Sequence, residues 1–329
     1  MPRAKITEVA REAGVSLSTV SRVMNGNPTV DAGLAERVRE VAARLGYSAS
    51  PLARSLVLGR TQTISVVIPD LANPTFQAIL RGLSHAAAKA GYHVLISDSE
   101  ERVDDESVLA TTTRRRTDGV ILCAPRLPQN ELSALLPAIG PAVVVNRPPQ
   151  PHAPTVSADY GAATSELIAH LRSLGHRRLA FLSGPAHSAS GEARRRAIAA
   201  ACARDPFLEV VEISAGVDFD SGAAAADAVL ASRVTAALAF NDLVAMGLLS
   251  AVASRGVRVP KDLSIAGFDD IPFSAYTSPP LTTASVPAAQ IGECAWAAMH
   301  ALLSGVEPAA NVTLAPQLVI RASTGPAPG

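Results

Sequence analysis

Aromatic residues make up only 4% of this sequence of 329 residues, and it contains three cysteines. The apolar fraction is nevertheless 48%, so Ala, Val, Leu and Ile must fill a large core. The cysteines lie far apart in apolar runs, which excludes the close spacing of a disulfide framework or a zinc site. We therefore expect buried free thiols in a reducing compartment.

Segments that would indicate export, membrane insertion or catalysis are also missing. Met1–Glu8 contains no apolar stretch of signal-peptide length, and the longest charge-free runs are interrupted by Pro or Gly. The seven histidines show no metal-ligand spacing. The sequence has no glycine-rich dinucleotide loop, no phosphate-binding loop and no nucleophile elbow. We expect a cytoplasmic protein that is not an enzyme, with no cofactor and no contact with a membrane.

The net charge is zero, but the charge is unevenly distributed. Residues 1–60 contain nine Lys or Arg against five Asp or Glu, so the remainder of the chain carries the compensating negative charge. A small basic end on a larger acidic body suggests a segment that binds a polyanion, although an excess of four charges is modest.

The first apolar periodic window predicts two short helices joined by a turn. Val9 and Ala13 recur at helical spacing before Gly14, which supplies the positive φ of the turn, and Ser16 is placed to cap a second helix. This arrangement is a helix-turn-helix. Its predicted shared core comprises Val9, Ala13, Val15, Val20 and Val23.

The outward face of the second helix is polar and carries one arginine, which suits the major groove of DNA. We expect Arg22 to reach a guanine edge and Leu17 a thymine methyl, with nearby hydroxyl groups bound to phosphates. The predicted contacts from this helix are Ser16, Leu17, Ser18, Thr19, Ser21, Arg22 and Asn25. A third helix should run from an Asp31 cap to Gly46. A short helix between Ser50-Pro51 and Gly59 should form only on a partner, since it is too short to be stable alone.

These motifs resemble the DNA-binding head of LacI-type repressors. The resemblance rests on Val9-Ala10, Ala13-Gly14-Val15-Ser16, Thr19-Val20-Ser21-Arg22-Val23 and Leu45-Gly46-Tyr47. Ala53-Arg54-Ser55-Leu56 resembles the hinge helix of that family. The resemblance implies that one hinge helix per subunit enters the minor groove of an operator, where Ala53, Arg54 and Leu56 contact DNA and Leu56 acts as a wedge.

From Gln62 onward, short Val- and Ile-rich runs alternate with helical stretches, which predicts parallel α/β sheets in two similar halves. The predicted strands are Ile64–Ile68, Tyr92–Ile96, Gly119–Cys123, Ala142–Val145, Leu179–Leu182, Val210–Ile213, Ala236–Phe240 and Ser264–Ala266. In such sheets, ligands bind beyond the carboxyl ends of strands, and two facing lobes form a hinged cleft.

Amides, guanidinium groups, a carboxylate and aromatic rings follow six of these strands, as a polyhydroxylated ligand requires. The predicted effector-binding residues are Asn73, Phe76, Asn146, Arg147, Ser190, Arg194, Phe219, Asn241 and Asp269. Two alternatives remain open: Asn241 is also placed to cap a helix, and Phe76 and Phe219 also suit a core.

The body also resembles LacI-type repressors and their periplasmic sugar-binding relatives, through motifs such as Leu182-Ser183-Gly184-Pro185, Phe240-Asn241-Asp242 and Gly267-Phe268-Asp269-Asp270. The resemblance implies that the nine residues line an effector cleft. The expected domains are a helix-turn-helix head at 1–49, a hinge at 50–60, an N-terminal lobe at 61–157 plus about 287–312, and a C-terminal lobe at 158–286 plus about 313–329.

Asn146 is neutral where sugar-binding members often have an aspartate, so Arg147 and Arg194 should leave the cleft positive, with Asp269 as the main balancing charge. Two readings remain open: an effector with an anionic group, or a sugar contacted through fewer hydroxyls. We expect a homodimeric repressor that binds a palindromic operator and is released by a small molecule, a sugar or sugar derivative. A co-repressor and control by a partner protein are the alternatives.

Overall fold

The structure is a computed structural model that describes residues 4–24, 29–47, 59–309 and 311–328. Contacts divide the chain into two units, Met1–Gln62 and Thr63–Gly329, and each is described by itself. The predicted DNA contacts Asn25, Ala53, Arg54 and Leu56 lie outside the described residues, as does the predicted hinge helix.

The described residues of the first unit form three helices, α1 (Ile6–Ala13), α2 (Leu17–Met24) and α3 (Ala32–Leu45). Gly14 has φ 64° between the first two helices, which confirms the predicted turn. The Asp31 side chain caps α3 by accepting from the Leu34 amide at 2.9 Å. The core joins all three helices and consists of Val9, Ala10, Ala13, Val20, Val23, Ala35, Val38, Val41 and Ala42. Val15 is only partly buried against it.

The second unit contains two six-stranded sheets. The first has the order β11-β5-β4-β3-β1-β2, and all of its strand pairs are parallel. Its strands are β1 (Thr63–Ile68), β2 (His93–Asp98), β3 (Gly119–Cys123), β4 (Ala142–Val145), β5 (Thr155–Ala158) and β11 (Val312–Leu314). We call this sheet and the helices packed on it the N-lobe.

The second sheet, with its helices, forms the C-lobe and has the order β12-β10-β9-β8-β6-β7. Only the pairing of its edge strand β12 with β10 is antiparallel. Its strands are β6 (Arg178–Ser183), β7 (Glu209–Ser214), β8 (Ala236–Ala239), β9 (Ser264–Asp269), β10 (Thr282–Ser285) and β12 (Gln317–Val319).

Helices separate most of the strands, as the alternating pattern predicts. In the N-lobe they are α4 (Pro74–Lys89), α5 (Val103–Arg114), α6 (Gln129–Ile139) and α12 (Ala288–Leu303). In the C-lobe they are α7 (Tyr160–Ser173), α8 (Ala189–Arg204), α9 (Phe219–Ala224), α10 (Ala226–Ala231) and α11 (Asp242–Ser254). No helix of the described residues is long and apolar enough to cross a membrane.

The chain passes between the lobes three times, after β5, after β10 and between β11 and β12. The second crossing delivers α12 onto α4, and glycines allow the two backbones to approach closely. A Cβ atom on Gly82 would lie 2.0 Å from the Ala289 carbonyl oxygen, and one on Gly292 would lie 2.0 Å from that of Ile79. The crossings lie near the predicted lobe limits, but those limits as folding boundaries remain a prediction.

Candidate functional site

The first candidate surface is the outward side of α2. Leu17 is 49% exposed, and Ser16, Ser18 and Arg22 are also exposed, while Val20 and Val23 face the core. Thr19 and Ser21 are partly buried. The amphipathic spacing of this short helix therefore places the six described candidate residues outside the core, where they remain predicted DNA contacts.

Ser16 organises the start of this surface. Its Oγ accepts from the Thr19 amide at 3.1 Å, so it caps α2 as predicted. The same oxygen lies 2.8 Å from Ser18 Oγ and 2.9 Å from Thr19 Oγ1. A cluster of hydroxyl groups at a helix N-terminus, where backbone amides point outward, favours an anionic partner such as phosphate.

The second candidate site is a cavity between the two lobes, which we call the inner cavity. Seven of the nine predicted effector residues line it: Asn73, Phe76, Asn146, Ser190, Arg194, Asn241 and Asp269. They come from both sheets, because the carboxyl ends of the strands in the two lobes face each other. The cavity volume is about 30 Å³.

Non-glycine residues in the left-handed region cluster around this cavity. Glu101, Ala124 and Asn146 have φ 57°, 48° and 55°, and Asp269 has φ 109°. All four line the cavity and follow or end β2, β3, β4 and β9. Such conformations cost about 1–3 kcal/mol each and persist only where the surroundings enforce them, which is typical of binding sites.

Arg194 is the central cation of the C-lobe wall. Its guanidinium carbon lies 4.0 Å from the Phe268 ring centroid and 4.7 Å from the centroids of Tyr160 and Phe240. Burial lowers the pKa of Arg194 to about 10, so the side chain stays charged at neutral pH. Among the described residues, four buried side-chain polar atoms lack a hydrogen-bond partner, and Nε and Nη1 of Arg194 are two of them.

Gly184 makes room for one of these rings. A Cβ atom there would lie 2.6 Å from the Phe240 ring, so a larger residue after β6 would displace the aromatic face on which Arg194 lies. The aromatic residues Tyr160, Phe240 and Phe268 are absent from the predicted set, although two of them adjoin predicted residues in sequence.

Asp269 supplies a carboxylate to the same wall, and the charge of Arg194 acts on it without a direct ion pair. Burial raises the pKa of Asp269 to about 6, while Arg194 and a hydrogen bond from Thr75 oppose that rise. The Thr75 hydroxyl donates to Asp269 Oδ2 at 2.9 Å and so joins the two lobes. The neighbouring loop is held by buried Asp242, whose carboxylate accepts from the Ile271 amide at 2.9 Å and the Thr283 hydroxyl at 2.6 Å.

The predicted asparagines have structural partners as well as cavity positions. Asn73 caps α4 by accepting from the Thr75 amide, and Asn241 caps α11 by accepting from the Val244 amide, each at 2.9 Å. Asn241 is therefore both a helix cap and a cavity residue, so the two interpretations are compatible. The side-chain oxygen of Asn146 accepts from the Ala158 amide at 3.3 Å.

Arg147, the second predicted cation, does not line the inner cavity. Its Nη1 donates to the carbonyl oxygens of Pro125 and Leu127 at 3.0 and 3.1 Å, and its Nη2 donates to Gln129 Oε1 at 3.0 Å. Since Asn146 is left-handed, the next side chain turns toward the loop after β3. Arg147 therefore does not join Arg194 in the inner cavity, and the expectation that the two make the cleft positive stays a prediction.

Phe219 does not line the inner cavity either, and it is 45% exposed. Asp218 caps α9, which places Phe219 at the first helical position, where it borders an outer groove with Met246. Val217 lines the cavity from this segment instead, and its carbonyl oxygen accepts from Asn241 Nδ2 at 2.8 Å.

Sequence reasoning missed a charged pair in the N-lobe wall. Glu101 and Arg126 both line the inner cavity, and their side chains form an ion pair at 2.7 Å. They follow β2 and β3, and the sequence analysis predicts no site residue beyond the carboxyl ends of these two strands. Applying the strand-end rule to β3 would have found Arg126 three residues after Cys123.

A second, larger pocket adjoins the inner cavity and shares Asn146, Tyr160 and Ser190 with it. We call it the outer pocket; its volume is about 600 Å³, and Arg147 and Arg196 border it. Small-molecule sites occupy about 300–1,000 Å³, so the inner cavity alone is too small for a sugar. A ligand that reaches Arg194 and Asp269 therefore requires the lobes to separate.

Comparisons with known proteins match both units of the chain. Residues 5–50 match the family described as bacterial regulatory proteins of the lacI family, and residues 168–324 match a periplasmic binding protein-like domain. The HTH-type transcriptional repressor CytR of Escherichia coli K12 is 30% identical over 328 residues, which cover 98% of this chain and 96% of that protein.

Two solved structures are similar over nearly the whole chain. One is the lac repressor dimer bound to operator and the anti-inducer ONPF, with TM-score 0.89, 27% identity and coverage of 98% of this chain and 99% of that one. The other is the transcriptional regulator CelR in complex with cellobiose, with TM-score 0.71, 25% identity and coverage of 98% and 100%.

Proposed function

The chain belongs to the LacI family of bacterial regulators, and we propose that it is a repressor that dissociates from its operator when a carbohydrate effector binds. The observation that carries the proposal is the combination of a helix-turn-helix unit with a two-lobed core. In that core, one cavity is lined by amides, guanidinium groups and carboxylates from both lobes. The operator and cellobiose complexes of its structural relatives support the two partners.

The chain would work as a homodimer on an inverted repeat, because two copies of one head related by a two-fold axis bind two half-sites. We propose that Ser16, Leu17, Ser18, Thr19, Ser21, Arg22 and Asn25 contact the major groove. Ala53, Arg54 and Leu56 would contact the minor groove. We propose that the protein acts in the cytoplasm, where chromosomal DNA lies, and that it is a regulator rather than an enzyme; its relationship to transcriptional regulators supports this proposal.

The cavity suggests how a ligand changes DNA affinity. Thr75 and Asp269 join the lobes by one hydrogen bond, and a ligand too large for the inner cavity must break or replace that contact. The lobes then adopt a different angle, and the ligand shifts the equilibrium by its difference in affinity for the two arrangements. We propose that the separated or ligand-filled arrangement binds the operator less tightly.

Selection of bound sequences from a random duplex library by the full-length protein tests the DNA-binding half. We expect an inverted repeat, and we expect Arg22→Ala to lose it. Arg37→Ala is the matched control, because it removes an equal charge from an exposed position on α3. If the protein selects no sequence, or a single half-site without an inverted copy, the proposed dimeric operator complex is contradicted.

Titration of the selected duplex with carbohydrates in the presence of the protein tests the effector half. Release of DNA by a sugar supports induction. Tighter binding would show that the ligand is a co-repressor. If no small molecule changes DNA affinity, control by a partner protein becomes the better explanation.

A further inference from the structure

The N-lobe wall of the inner cavity contains a charged pair that faces a ligand entering between the lobes. Arg126 Nε donates to Glu101 Oε2 at 2.8 Å, and its Nη2 donates to Glu101 Oε1 at 2.7 Å. The two side chains are 5% and 23% exposed. Parallel, bidentate contacts of this kind fix the orientation of both groups.

The loop that carries Arg126 is held on two further sides. The buried carboxylate of Glu106 accepts from the Arg126 amide at 2.8 and 2.9 Å and from the Leu127 amide at 3.0 Å. On the other side, the Arg147 guanidinium donates to the carbonyl oxygens of Pro125 and Leu127. Such support is expected of a binding group held in place before its ligand arrives.

The pair offers a donor and an acceptor side by side and has no net charge. A guanidinium only donates and an ionised carboxylate only accepts, whereas each hydroxyl of a sugar does both. Two adjacent hydroxyls match this pattern. Across the cavity, Arg194 and Asp269 again combine one cation and one carboxylate. A phosphate or carboxylate that entered the inner cavity would face Glu101 and Asp269 without a surplus of positive charge there.

We propose that the Glu101–Arg126 pair is a specificity determinant of the effector site, which binds adjacent hydroxyls of a neutral polyhydroxylated ligand and excludes anionic ones. The proposal rests on the proposed function and narrows its effector class. It selects the second of the two readings of the cleft, a neutral sugar, over an effector with an anionic group.

Matched neutral and phosphorylated sugars test this selectivity on the full-length protein. Affinities are measured by calorimetry for glucose, glucose 6-phosphate, ribose, ribose 5-phosphate and cellobiose. We expect the unsubstituted protein to bind a neutral member at least tenfold more tightly than its phosphate. Glu101→Gln leaves the Arg126 charge unpaired, so the ratio should shift toward the phosphate by at least tenfold. Preference of the unsubstituted protein for a phosphate, or binding of no neutral member, overturns the proposal.

The double variant Glu101→Gln, Arg126→Gln restores a neutral wall and should again exclude the phosphate. It also keeps the test valid if Glu101→Gln alone does not fold. The matched control is Arg102→Gln in the same loop. The Arg102 side chain is 61% exposed and forms ion pairs with Glu100 and Asp105, away from the cavity. A ratio that Glu101→Gln leaves unchanged, or that Arg102→Gln changes equally, overturns the inference.

Operator binding separates this test from that of the proposed function. If a neutral sugar releases the duplex but the variants keep the parent selectivity, the regulator stands and the role of the pair fails. If the protein selects no duplex, the proposed function fails, and the calorimetric ratio still reports on the pair.

Discussion

The two walls of the inner cavity each contain one buried arginine, and the protein stabilises the two in opposite ways. In the N-lobe, Arg126 donates hydrogen bonds to protein oxygens from Nε, Nη1 and Nη2. Arg194 of the C-lobe lies among three aromatic rings, and its Nε and Nη1 have no partner. Every nitrogen of the first group has a protein partner before a ligand binds, whereas the second group leaves two nitrogens without one.

The difference between the two arginines predicts that one contributes mainly to ligand affinity and the other mainly to the stability of the free protein. A buried donor without a partner costs about 1–3 kcal/mol, and a ligand oxygen that reaches it recovers that cost. Arg194 should therefore contribute much to affinity and little to the stability of the free protein. Arg126 should contribute to stability through Glu101, and to the choice of ligand more than to its strength of binding.

Replacing Arg194 with Met should have the largest effect on affinity. Hydrogen bonds to a charged group are worth about 1.5–3 kcal/mol each, so losing two of them should weaken effector binding by about 100-fold or more. The measurement is calorimetric titration with the sugar that binds the parent protein. A loss of less than about fivefold would show that Arg194 does not contact the ligand.

The free energy of unfolding should depend more on Arg126 than on Arg194, which is the reverse of the order expected for ligand affinity. Arg126→Met leaves the Glu101 carboxylate and the Ala124 carbonyl without their partner, and should lower the free energy of unfolding by about 2–3 kcal/mol. Arg194→Met replaces a desolvated cation with an apolar side chain of similar length among aromatic rings, so it should not lower it. Urea denaturation without ligand checks both, and equal losses would remove the contrast between the walls.

The pH dependence of binding should come from the C-lobe wall. The pKa of Asp269, raised to about 6 by burial, means that its carboxylate is ionised at pH 8 and gains a proton as the pH falls through 6. A ligand hydroxyl that donates to the carboxylate then loses its acceptor. Affinity should fall by up to about tenfold per pH unit below 6. Calorimetry between pH 5 and pH 8 measures this, with Asp269→Asn as the control that should flatten the profile.

Much of this cavity follows from a simple rule applied to the sequence. Apolar runs mark the central strands. Asn73, Asn241 and Asp269 lie at or shortly after the carboxyl ends of such strands, Arg194 lies on the helix that follows β6, and all four reach the cavity. Two other predicted residues lie outside the inner cavity, because the local backbone geometry sets the direction of their side chains. The side chain of Arg147 follows a left-handed Asn146, and Phe219 follows the helix cap Asp218.

Other features leave a weak signal in the sequence. Strands β10, β11 and β12 contain only three or four residues and lack long apolar runs, since β11 and β12 are edge strands and β10 lies next to an edge. A left-handed Ala124 carries no signature of its own, since alanine rarely adopts that conformation. The strand-end rule can find Arg126, but nothing in the sequence shows that the fold brings Glu101 beside it.

The smallest expected effect on ligand selectivity concerns Arg147, and it distinguishes a residue that contacts the ligand from one that only holds a neighbouring loop. Arg147 holds the loop that carries Arg126, so Arg147→Gln should change the neutral-to-phosphate affinity ratio by only about threefold to fivefold. If Arg147 acts through Arg126, the same substitution should have no effect on that ratio in an Arg126→Gln background. Calorimetry on the four members of this double-mutant cycle measures the coupling. Additive effects would instead mean that Arg147 contacts the ligand itself from the outer pocket, as the sequence predicts.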